Sequence, residues 1–290
     1  MNPNDPQLSP AATEAVPPTP AEAATERAAL QAASVRSRRA FIGLGLAGLV
    51  GTLGWAYLAG SLPIGGNPDD EGMPHDLRKI QEFNGQLTQD YYRTTRLAPE
   101  FARACAKELR LNGDIGLGDD FDPGTWKLTV KSYGTPARTE EFTLDQIKAL
   151  PRTEMTTELK CIEGWSVIVH WAGTRLSDFL AKYPLATRSG QPIADATRPP
   201  ADAAPYVGLL TPDENYYVGL EMWSALHPQT LLCYELNGQP LTPEHGAPLR
   251  LVSPLKYGVK HLKRIGTIAF TDERPADYWA ELGYDWSGQH

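Results

Sequence analysis

The sequence has few cysteines, a shortage of positive charge, no phosphate-binding P-loop and no internal repeat. Its three cysteines, Cys105, Cys161 and Cys233, are an odd number at wide spacing. No disulfide framework can therefore be read, and at least one thiol stays unpaired. A Cys-x-x-Cys-His motif is missing, so the chain carries no covalent haem attachment of that kind. The net charge of -8 argues against nucleic acid as a partner, because phosphate binding needs a basic surface. Seven Trp and twelve Tyr exclude a largely disordered chain.

Taken in order, the chain falls into three parts. Residues 1–36 are rich in Ala, Pro, Glu and Thr and hold too little apolar surface to offset the entropy of ordering, so they read as a tail. Residues 37–64 open on Ser37-Arg-Arg-Ala-Phe-Ile42 and continue in a run, Ala40 to Asn67, with no charged residue. That run is long enough to cross a bilayer as one helix. The paired arginines resemble a twin-arginine export signal. Arg36, Arg38 and Arg39 before the run, with Asp69, Asp70 and Glu71 after it, place the following domain outside the cytoplasm by the positive-inside rule. Tyr57, two residues ahead of Ala59, spoils a small-x-small cleavage site, which favours an uncleaved anchor over a removed peptide.

Residues 75–290 read as one folded domain of α+β class, with mixed strands and short helices. Residues 73–83 suit a short helix. Trp126-Lys-Leu-Thr-Val130 alternates like a strand, and residues 143–150 suit a short helix capped by Thr143 and stopped by Pro151. Leu176 to Tyr183 reads as another helix. Asn237-Gly238 between apolar runs signals a hairpin, and residues 249–253 and 265–270 read as two further strands.

The candidate reactive residue is Cys161. Strand-like alternation over Thr156 to Lys160 ends at it, Glu163 follows two residues later, and Gly164 breaks the pattern before Val167-Ile-Val169. The thiol thus sits at a strand-to-loop junction, where side chains can face a cleft. The competing reading is a buried cysteine acting as a small hydrophobe, and Cys105 and Cys233 are read that way.

Five blocks carry a resemblance in a fixed order: Lys160-Cys-Ile-Glu-Gly-Trp-Ser166, Trp171-Ala-Gly-Thr-Arg-Leu176, Ala225-Leu-His-Pro-Gln229, His245-Gly-Ala-Pro-Leu-Arg250 and Lys256-Tyr-Gly-Val-Lys-His-Leu-Lys263. Together they resemble the molybdopterin-binding domain of the sulfite oxidase family, closest to its exported methionine-sulfoxide reductase catalytic subunits. The resemblance implies a sulfite-oxidase-type fold and a molybdenum-molybdopterin (Mo-MPT) cofactor, with Cys161 as the thiolate ligand of a soft, sulfur-rich metal centre. It also implies a catalytic role for Glu163 beside the open coordination position. Thr211, His245, Arg250, Lys256, His261 and Lys263 become candidates for holding the pterin and its phosphate. Thr95 and Arg96 stand where the reductases carry a tandem Asn, and would take over its contacts.

The expected activity is two-electron oxygen-atom transfer on a small-molecule sulfoxide or N-oxide. Because the chain lacks a haem motif, electrons would pass through a haem-bearing partner, membrane-bound or soluble. The alternatives are a sulfite dehydrogenase, a non-catalytic interaction protein with a decayed cofactor domain, and a thiol enzyme pairing Cys161 with a histidine such as His170 or His227. Sulfite dehydrogenases of the family follow their cysteine with arginines. Here Ile162, Glu163, Gly164 and Trp165 follow, a carboxylate and an aromatic wall that suit a neutral molecule better than a small anion.

Overall fold

Strand β3 (Arg152–Lys160) and strand β4 (Ser166–Arg175) form the longest hairpin among the described residues and deliver Cys161 at its tip. The computed structural model describes Ile80, Phe83, residues 96–118, 121–134 and 136–290. The expected tail, the apolar span 37–64 and Thr95 lie outside the described residues. Ile80 and Phe83 are helical, inside the stretch expected to form a short helix. Among the described residues no helix is long and apolar enough to cross a membrane.

Two sheets build the domain. The first runs in the order β2 (Thr139–Phe142), β1 (Leu128–Lys131), β10 (Thr267–Thr271), β5 (Tyr206–Leu210) and β6 (Tyr217–Glu221). Its β1 and β10 pair in parallel, and its other pairs are antiparallel. The second runs β3, β4, β7 (Leu231–Leu236) and β8 (Gln239–Pro240), with β9 (Arg250–Val252) paired to β7. Among the described residues from 96 onward the α-helices are one or two turns long: α1 (Leu144–Lys148), α2 (Leu176–Lys182), α3 (Met222–Ala225) and α4 (Tyr278–Glu281). Mixed sheets with brief helices are the α+β class expected from the pattern.

Local chemistry explains several of these elements. Thr143 caps α1 in a reciprocal box with Gln146, as its position before an apolar face predicts. Asn237 and Gly238 both take positive φ, 51° and 79°, the geometry of the two-residue turn that joins β7 to β8. One core cluster gathers Leu128, Ile147, Phe179, Leu209, Leu220, Leu251 and Ile268, while a second, under the β3–β4 hairpin, gathers Met155, Leu159, Val169, Trp171 and Cys233. Cys105 and Cys233 are buried, and burial pushes the Cys233 thiol up to about 11. These two thiols pack, as expected.

Candidate active site

Cys161 follows the last residue of β3, and the chain turns back through Gly164 at φ 87° to enter β4. The turn is closed by Cys161 N donating to Trp165 O at 2.9 Å and Gly164 N donating to Cys161 O at 3.1 Å. The thiol is thereby held beside a cavity of about 300 Å³, within the range of ligand sites. Cys161, Glu163, Arg250, His261 and Lys263, five of the residues singled out in the sequence, line it together. Glu163 Oε2 accepts from the Trp165 indole N–H at 2.9 Å, so the carboxylate and the aromatic wall are set as a unit.

Arg250 begins β9 and is buried. Its guanidinium donates to His245 O at 3.2 Å and to His261 O at 3.4 Å and lies 5.1 Å from the Trp171 ring centroid. Nε has no partner among the described residues. Burial pulls this guanidinium down to about 10, so it remains charged at neutral pH without a carboxylate beside it. His261 places Nε2 2.9 Å from Ser253 O, which assigns the ring proton to that nitrogen and leaves Nδ1 unpartnered. Burial, with Arg250 adding to it, lowers His261 to about 4, so the ring is neutral. Lys263 Nζ donates to Asn112 O at 2.9 Å and Gly113 O at 2.7 Å. Burial first, and Arg250 second, lower it to about 8.

His245 stands behind this wall. Its carbonyl serves Arg250, and its Nδ1 is buried without a partner. Gly246, at φ 93°, leaves only 2.8 Å between a would-be Cβ and Lys263 Cα, so the two motif blocks meet at a contact that any side chain would push apart. Thr211 and Lys256 are outside the lining. Thr211 Oγ1 is tied to Asp213 Oδ1 at 2.5 Å, within its own turn. Lys256 Nζ is held by Glu221 at 2.8 Å and Ser287 O at 2.7 Å. Arg96 is likewise outside the lining, and its carbonyl lies 3.2 Å from His227 Nε2. His170 bonds through Nδ1 to Thr156 Oγ1 at 2.9 Å. Neither His170 nor His227 shares the cavity with Cys161, which removes the geometric basis for those two Cys-His pairings.

Sequence reasoning missed Leu109, Arg110, Asn112, Ile115, Tyr216, Trp279 and Tyr284, all of which line the cavity. Asn112 Nδ2 lies 3.8 Å from Cys161 Sγ. This Asn beside the thiol comes from the segment after Cys105, whereas Thr95 and Arg96 were expected to stand in for the reductases' tandem Asn.

A family model for the oxidoreductase molybdopterin binding domain matches residues 116–279. A protein described as protein-methionine-sulfoxide reductase subunit YedZ1, of Azospira oryzae, is 30% identical over 244 residues, covering 80% of this chain and 86% of its own length. The protein-methionine-sulfoxide reductase catalytic subunit MsrP of Xanthomonas axonopodis pv. citri is 36% identical over 172 residues, 57% of this chain and 53% of that protein. The match thus spans about half the length of that subunit. Among solved structures, the sulfane dehydrogenase SoxCD from Paracoccus pantotrophus aligns with TM-score 0.44 at 18% identity, over 62% of this chain and 46% of that one, a likeness too weak to add to the family match.

Proposed function

The chain belongs to the oxidoreductase molybdopterin-binding domain family, and from that premise we propose that it reduces an organic sulfoxide by two-electron oxygen-atom transfer outside the cytoplasm, drawing electrons from a haem-bearing partner. It is a molybdenum-dependent oxidoreductase, and the cavity chemistry fits its cofactor. A thiol, a buried cation with an unpartnered Nε, and a neutral imidazole with an unpartnered Nδ1 open on one space. Buried polar atoms are rarely left unpaired in a finished protein, and these are the groups that a sulfur-ligated metal with an anionic pterin tail requires. Cys161 would ligate the metal, and Arg250, His261 and Lys263 would hold the pterin and its phosphate. When bound, the molybdenum-molybdopterin group supplies the two-electron oxygen-atom exchange.

The remaining chemistry belongs to the protein. Sulfoxide, two electrons and two protons give thioether and water, so the site must hold protons near the departing oxygen. Glu163, at the cavity and bonded to Trp165, is the group placed to do so. Trp165, Tyr216, Trp279 and Tyr284 form an aromatic lining that suits an apolar substrate body. The observation that carries this reading is the convergence of Cys161, Glu163, Arg250 and His261 on the lining of one cavity.

Sulfite oxidation is the second reading, favoured by three cations, Arg110, Arg250 and Lys263, in the lining. Metal analysis and steady-state assays decide. About one molybdenum per chain, and a kcat/KM for a neutral sulfoxide with a reduced dye far above that for sulfite oxidation, support the proposal. A larger value for sulfite overturns it. Cys161→Ser should keep the pterin and lose at least about a hundredfold in turnover, because a hydroxyl is a harder, less acidic ligand.

A further inference from the structure

Of the three cations in the cavity lining, two are assigned above to the cofactor. Arg250 and Lys263 are held in place for it by main-chain carbonyls, those of His245 and His261 for Arg250 and of Asn112 and Gly113 for Lys263. Arg110 differs. It is exposed at the cavity mouth, its guanidinium carbon lies 5.3 Å from the centroid of the Trp165 ring, and among the described residues it joins no ion pair.

Its position is built by the segment that carries it. Lys107 N donates to Ile168 O at 2.9 Å, and Asn237 Nδ2 donates to Lys107 O at 2.9 Å. Leu109 is buried in the second core cluster. Beyond Arg110, Lys263 clamps Asn112 and Gly113, and Arg264 donates to Gly118 O at 3.1 Å. The strap is therefore fastened on both sides of Arg110. A guanidinium resting on an aromatic ring keeps its edge N–H groups directed outward in a planar fork that matches a carboxylate.

We propose that Arg110 is a specificity-determining residue that takes a carboxylate on the substrate, at the end remote from the reacting sulfur. The inference rests on the sulfoxide-reducing function proposed above. Cys161 and Glu163 mark the reacting end, where a carboxylate disfavours an anion. Trp165 forms a wall shared by both ends, in contact with Glu163 and Arg110 alike. The favoured substrate is therefore neutral at sulfur and anionic at its far end, an organic sulfoxide acid. A charge-assisted bidentate contact of this kind is roughly twice as strong as a neutral one, and at a solvent-exposed mouth it corresponds to about a fivefold preference.

The test compares methylsulfinylbutanoate with its uncharged amide on the holoenzyme, in wild type, Arg110→Met and Arg110→Lys. The expected acid-to-amide ratio of kcat/KM is about five in wild type, near one in Arg110→Met and intermediate in Arg110→Lys. A ratio near one in wild type, or an unaltered ratio in Arg110→Met, overturns the proposal. Calorimetric titration with the corresponding thioethers reads the same preference without turnover. Binding of the acid that depends on Arg110, with neither sulfoxide reduced, would overturn the sulfoxide-reducing function while upholding Arg110. Equal reduction of both sulfoxides would do the reverse.

Discussion

Replacing Arg250 with Met should cost the protein its cofactor while leaving the apoprotein nearly as stable as wild type. Burial moves this guanidinium from its ordinary value down to about 10, which corresponds to about 3 kcal/mol spent on keeping the charge in the fold. The folded value is depressed, so at neutral pH the group is charged in both states and the whole penalty is present. It would be relieved only above about pH 10. Against that relief stand two long hydrogen bonds to His245 O and His261 O, at 3.2 and 3.4 Å, worth about 1 kcal/mol each at that length. The contact with Trp171, 5.1 Å from guanidinium carbon to ring centroid, adds about 1 kcal/mol. The terms nearly cancel, so unfolding of the apo variant in urea should fall within about 1 kcal/mol of wild type. Loss of a charge-assisted contact to an anion should meanwhile lower molybdenum occupancy about tenfold or more. A variant that loses about 3 kcal/mol or more of apo stability and keeps its molybdenum would refute the reasoning, making Arg250 a structural strut and not a counterion awaiting its partner.

Lys263, at about 8 because of burial and then Arg250, carries its charge below that pH and loses it above. The charge available to the cofactor phosphate should therefore fall as pH rises through about 8. Molybdenum retained after gel filtration should decline over that interval, and Lys263→Arg should flatten the decline. Apoprotein stability should move the other way, because the penalty on the charged form lifts as the proton leaves. Asp277 accepts from buried Lys260 and from Gly219 N and caps α4. Asp277→Ala leaves that ammonium unpaired and should cost about 3–5 kcal/mol in denaturant unfolding; a loss under about 1 kcal/mol would mean that Lys260 relaxes to water. Arg38→Lys with Arg39→Lys should leave cofactor-loaded protein in the cytoplasm on fractionation, and normal export of the double variant would exclude a twin-arginine route.

How much of this was legible in the sequence depends on how local each feature is. The alternation leading into Cys161, the Thr143 cap and the Asn237-Gly238 turn are fixed by neighbours a few residues apart, and the expected elements formed there. The basic run from Lys256 to Arg264 shows where such reasoning ends. As a string it is one patch of charge. In the fold Lys256 and Lys260 turn to Glu221 and Asp277, 35 and 17 residues away, while His261 and Lys263 reach the cavity. Nothing within the run separates these fates, because the acids that claim the first two lie on other elements. Arg110 and Asn112 were invisible for the same reason. Their strap has no hydrophobic period to read, and its course is set by Asn237, Lys263 and Arg264, residues more than a hundred positions downstream. The thiol proposed as ligand can thus be found from a motif, whereas the residues proposed to choose the substrate emerge only when distant segments are brought against it.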